Sequence, residues 1–120
     1  MNTPRHQRTP EAAEYYFEEG CYILEYLNDP DDLQASIARA RLPEAGVTDW
    51  HRLIDTTERY LILAGEGRAE IGPETFEVRA GDVVVIPPET PQRIANTGTG
   101  DLTFLAICTP RFRPECYRRG

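Results

Sequence analysis

The chain has 120 residues, of which 40% are hydrophobic, and a formal net charge of -7. That length suits one domain with one core, and no apolar run approaches the ~18 residues that a spanning helix needs. The acidic balance would repel a phosphate backbone, so neither a membrane nor a nucleic acid is expected as a partner.

In chain order, residues 1–10 carry Arg5, His6 and Arg8 with no apolar stretch behind them. No signal peptide is read there, and a cytoplasmic protein is expected. Residues 9–19 give the one helix-like stretch, opening on Thr9-Pro10 with proline at the first helical position. Residues 1–20 are therefore an N-terminal extension, 21–113 the body of the domain and 114–120 a tail. Strand-like runs follow at 21–28, 34–42, 47–53, 57–64, 68–71, 75–79, 83–86, 92–96 and 102–108. They are rich in β-branched and aromatic residues, and Gly, Pro, Asn and Asp punctuate them. Strands this short and evenly spaced predict a sandwich or barrel.

Charge is uneven along the chain. Eight acids fall in the first 32 residues, and Arg111, Arg113, Arg118 and Arg119 fall in the last ten. The two ends could pair within a chain or between subunits, or stand as two solvated termini. Cys21, Cys108 and Cys116 form no C-x-x-C pair and read as reduced thiols. Cys108 and Cys116 lie near arginines in sequence, which is a weak hint of an activated thiol.

Two short motifs stand in the strand-rich region. Gly46, His51, Glu58 and Gly65 are spaced G-x4-H-x6-E-x6-G, and Gly81, Pro87, Gln92 and Asn96 are spaced G-x5-P-x4-Q-x3-N. Together they resemble the paired signature of the cupin superfamily, over residues 36–108. Against that pattern, Leu53 stands at the second histidine of the first motif, Gln92 at the histidine of the second, and Glu89 at its glycine. The resemblance implies an all-β fold, an antiparallel double-stranded β-helix or jelly-roll barrel. It also implies a homodimer paired through edge strands, with residues 21–27 as the contact segment.

Residues i and i+2 of a strand share a face. His51 and Leu53 therefore point together, as do Glu58, Tyr60 and Ile62, and as do Gln92, Ile94 and Asn96. In a barrel of the kind the resemblance implies, His51, Glu58 and Gln92 meet in one interior. They are then candidate ligands for a divalent ion (Zn, Fe, Mn or Ni), or members of a hydrogen-bonded polar cluster. Imidazole is the stronger ligand, so replacing two histidines by Leu53 and Gln92 weakens the set. Tyr60 is a candidate acid or donor, or a core residue. Trp50 faces away from His51, Arg52 and Arg93 read as surface charges, and Glu89 reads as a solvated turn residue near the mouth. Arg111 and Arg113 could fold over the cup or onto a partner.

Three functions stand side by side for a small-molecule-binding protein of this kind. One is a metal-dependent enzyme of isomerase, dioxygenase or lyase type, acting on a small polar or sugar-like substrate. Another is a metal-free ligand-binding or sensing barrel. The third is a metal-free acid/base epimerase with His51, Glu58 and Tyr60 as catalytic groups.

Overall fold

The computed structural model describes residues 3–120. One antiparallel sheet has the order β1-β2-β3-β10-β5-β8. Its strands are β1 (Tyr15–Phe17), β2 (Cys21–Leu27), β3 (Ser36–Leu42), β5 (Thr57–Ala64), β8 (Val83–Ile86) and β10 (Leu102–Thr109). The second sheet has the order β11-β4-β9-β6-β7. It contains β4 (His51–Leu53), β6 (Glu66–Ile71), β7 (Glu74–Arg79), β9 (Gln92–Asn96) and β11 (Tyr117–Arg119). The expected all-β double sheet is therefore present. Among the described residues no helix is long and apolar enough to cross a membrane.

The pleat sorts the side chains. On β5 the buried set is Glu58, Tyr60 and Ile62, and on β8 it is Val84 and Ile86, while Val83 and Val85 stay exposed. Leu42, Ile62, Ile86, Ile94, Leu102 and Phe104 meet between the sheets as the core. Each such burial contributes roughly 1.5–3 kcal/mol before chain entropy is subtracted. Gly65 makes the tight link between β5 and β6 possible: its φ is +89°, and a Cβ there would lie 2.6 Å from the Asp101 carbonyl oxygen. Glu89 occupies the left-handed region at φ 62°, which a glycine would enter without strain. It offsets that strain by accepting a hydrogen bond from the Asp55 backbone N–H.

Several expectations need correction. Residues 9–19 form no α-helix but a single 3-10 turn, Glu11–Ala13, followed by β1. The turn buries nothing, and so short a helix is not stable by itself, whereas β1 gains a ladder with β2. Residues 21–27 are not an edge, because β1 and β3 flank them on both sides. Edge pairing through that segment is closed off, and β1, β8, β11 and β7 hold the edges instead. Of residues 47–53, only His51–Leu53 is a strand, and Val47 makes an isolated bridge with Ala95. The tail contributes a strand unforeseen in the sequence, β11 against β4.

The N-terminal acids do not seek the C-terminal arginines. Glu14 binds Arg39 at 3.1 Å and Arg41 at 2.7 Å, and Glu11 binds Arg39 at 2.9 Å. The N-terminal arm is thus fastened across the outer face of β3. Arg111 instead donates to Asn28 Oδ1 at 2.7 Å, and Arg93 donates to Glu70 at 2.9 Å while lying over the Trp50 ring.

Asn96, the last residue of the second motif, is a structural hub. Its Nδ2 donates to the carbonyls of Leu42 (3.0 Å) and Gly100 (2.8 Å), and its Oδ1 accepts from the Gly98 N–H (3.0 Å). Asn96→Ala strands these buried groups and is expected to cost about 3 kcal/mol, read by urea denaturation. A loss under about 0.5 kcal/mol would show that the loop re-forms without it.

Candidate functional site

Short-range alternation on four strands builds the site. β4 turns His51 inward, β5 turns Glu58 and Tyr60 inward, β9 turns Gln92 inward and β10 adds Cys108; all five are buried. His51 and Gln92 are direct cross-strand partners, and so are Glu58 and Cys108.

The His51 ring is fixed on two sides. Its Nδ1 lies 2.8 Å from the Asp49 carbonyl oxygen, and since a carbonyl only accepts, Nδ1 carries the proton and Nε2 keeps a free lone pair. The Tyr117 ring stacks on it with centroids 5.0 Å apart. Burial lowers its pKa, which keeps the imidazole neutral. Nε2 faces Glu19 Oε2 at 4.0 Å. Burial first, and then the charge of Glu58, push Glu19 up to about 8.

Glu58 sits deeper. Burial pushes its carboxyl up to about 7, and the Gln92 carboxamide and the Cys108 thiol offset part of the rise. Its Oε2 accepts from Cys108 Sγ at 3.8 Å. Tyr60 donates to Gln92 Oε1 at 2.6 Å, so the tyrosine is committed to holding the amide. The Gln92 amide stands close enough to favour the charged form of Glu58, yet neither group meets hydrogen-bond geometry with the other. Glu58 Oε1 and Gln92 Nε2 are both buried without a partner. Two orphaned groups, one on the inner surface of each sheet, are a costly feature that a bound molecule would relieve.

Of the three residues expected to meet, Gln92 accepts from Tyr60 and stands near Glu58, whereas His51, on the neighbouring strand, turns its Nε2 toward Glu19. Glu19 was missed. It stands two residues before the inward-facing Cys21, so extending the alternation of β2 backward across Gly20 would have found it. Tyr117 carried no signal, because its strand was read as tail. The cysteines are free and buried. Burial pushes the Cys21 and Cys108 thiols up, away from the thiolate a nucleophile needs.

A transition-metal ion fits this donor set poorly. There is one imidazole, Leu53 fills the second histidine position with a buried aliphatic chain, and the Gln92 oxygen already accepts from Tyr60. Among the described residues no three His, Cys, Asp or Glu side chains are grouped to hold an ion.

Residues 38–108 match the family model described as the cupin domain. The chain belongs to the cupin family. An uncharacterized protein of Methanocaldococcus jannaschii is 35% identical to this cupin over 103 residues, 84% of this chain and 82% of that protein. The oxalate-binding protein of Thermotoga maritima is 36% identical over 70 residues, and the match spans only 58% of each chain. Among solved structures, the nucleoside dehydratase Pac13 superposes with a TM-score of 0.79 at 15% identity, covering 97% of this chain and 92% of its own, which is a likeness of fold alone. A Thermotoga maritima protein described as a predicted oxalate decarboxylase gives a TM-score of 0.70 at 28% identity, covering 75% of this chain and 80% of its own.

A carboxyl raised by burial holds its proton more tightly in the folded state. Its share of stability is complete below the ordinary carboxylate value and is lost as pH rises through about 7 for Glu58. Glu58→Gln should therefore gain stability over the wild type between pH 5 and pH 8, by about 3 kcal/mol. Urea denaturation of both proteins across that window checks this, and parallel curves would contradict it.

Proposed function

We propose that this cupin binds a small molecule in its cup and exchanges a proton with it through Glu58, without a resident metal. The observation that carries the reading is the pair of buried, unpartnered atoms Glu58 Oε1 and Gln92 Nε2. A ligand that donates to Glu58 Oε1 removes that group's desolvation penalty, and Gln92 Nε2 is left to answer an acceptor on a ligand that carries one. The carboxyl's value of about 7 suits a group that gives and takes a proton at neutral pH.

Each neighbour has a part in this reading. Tyr60, by donating to Gln92 Oε1, turns the amide so that Nε2 is the end presented. Cys108 holds the other carboxylate oxygen. His51 presents a neutral lone pair to Glu19.

The test uses isotope exchange, which reports proton transfer whatever the overall reaction. In D2O at pH 7, ligand-observed NMR on a panel of small hydroxy acids, amines and sugars should find a binder whose carbon-bound hydrogen is abstracted and replaced by deuterium from the solvent. EDTA should leave the exchange intact, and Glu58→Gln should abolish it while the protein stays folded. Exchange that EDTA stops, or that Glu58→Gln retains, overturns the proposal, as does a panel without any binder.

We further infer that two copies of the chain pair. Support comes from β8, an edge strand with Val83 61% and Val85 59% exposed, a surface that invites strand pairing. Light scattering at micromolar concentration should give twice the chain mass; the mass of one chain would overturn the dimer.

A further inference from the structure

We propose that the cup selects a small organic cation, an ammonium-bearing molecule, over dicarboxylates and neutral sugars; this rests on reading the cup as a small-molecule site. A cavity of about 80 Å³ opens beside β1, β2, β3 and β10. It is far smaller than a drug-sized pocket of roughly 300–1,000 Å³, so its occupant has only a few heavy atoms.

Three carboxyl groups, those of Glu19, Glu25 and Glu58, line this cavity, and the rings of Tyr15, Phe17 and Phe112 supply aromatic wall. No arginine, lysine or histidine is among its lining residues. Carboxyl groups together with aromatic faces are the surroundings that stabilise an ammonium group, by hydrogen bonds to the carboxyl oxygens and by cation–π attraction. An entering cation favours loss of the protons that burial holds on Glu19 and Glu58. A dianion would find no counter-cation there to offset its desolvation.

Glu58 makes this more than a cluster of acids. It is 8% exposed and faces the cavity, and its Oε1 has no partner of its own. An ammonium carries donors and no acceptor, so it satisfies that oxygen directly.

The cations of this region are turned elsewhere. Arg39 and Arg41 are bound by Glu11 and Glu14 on the outer face. Arg111 donates to Asn28 Oδ1 at 2.7 Å, and Asn28 Nδ2 in turn donates to Glu25 Oε2 at 2.8 Å. The arginine therefore acts through Asn28 to hold Glu25 at the cavity mouth and does not itself line the space.

Calorimetric titration of the full chain at pH 7 with ethylammonium, oxalate and glucose separates the alternatives. Ethylammonium should bind, with oxalate and glucose at least about tenfold weaker. Glu58→Gln and Glu25→Gln should each weaken ethylammonium by about tenfold; Glu25 stands at the exposed mouth, so its variant tests the idea without challenging the core. Ethylammonium binding that neither variant changes would be attraction to the acidic surface and would overturn the inference. Oxalate or glucose binding that Glu58→Gln removes would overturn the cation preference and leave the cup as a ligand site. No binding by any of the three probes would overturn both.

Discussion

A carboxyl group inside an apolar barrel costs free energy unless something answers it, and the arrangement around Glu58 follows from that constraint. Burial raises the group to about 7, and its neighbours compensate only in part. Cys108 reaches one oxygen with a weak sulfur donor. Gln92, the stronger donor nearby, has its orientation set by Tyr60 and leaves its own amide nitrogen unpaired. The local network is therefore incomplete from within, which is the condition under which a buried polar group is better explained by a ligand than by stability.

The rest of the fold isolates that network. The core of Leu42, Ile62, Ile86, Ile94, Leu102 and Phe104 closes the space between the sheets, and a medium of this kind amplifies every charge placed in it. The outer faces take the opposite composition: Arg39, Arg41 and Arg93 stand there in pairs with Glu14 and Glu70. Because side chains alternate along a strand, a single residue step separates an outward-facing cation from a desolvated carboxyl. Arg59 and Glu58 are neighbours in sequence, and Arg59 reaches Thr109 on one side of β5 while Glu58 faces the interior on the other.

The two chain ends contribute more than their sequence suggests. The arm before β1 is tied to β3 by Glu11 and Glu14, and the link from β1 to β2 carries Glu19 to within 4.0 Å of His51. At the other end β11 pairs with β4 and lays Tyr117 on the His51 ring. His51 is thus oriented by the segment before its strand through Asp49 and by the C-terminal strand through Tyr117, and it faces the N-terminal segment at Glu19.

Local sequence was enough to read most of the strands, the turn glycines and which residues of β5 and β9 share a face, because strand periodicity and glycine conformation are properties of a few adjacent residues. Glu58 and Tyr60, and Gln92 and Asn96, were placed on shared strand faces for that reason, whereas their meeting in one barrel was what the resemblance to the cupin pattern implied. The residue types also marked Leu53 and Gln92 as departures from a metal-binding pattern, since a side chain's donor chemistry is written in its identity. Pairing partners were not legible. That residues 21–27 would be flanked on both sides, that residues 15–17 would prefer a ladder to a helix, and that residues 117–119 would join β4 all depend on distant strands offering hydrogen bonds. The same holds for the electrostatics. Glu19 looked like one acid among eight until the fold buried it beside Glu58 and His51, because burial and the distance between charges exist only once the chain has closed.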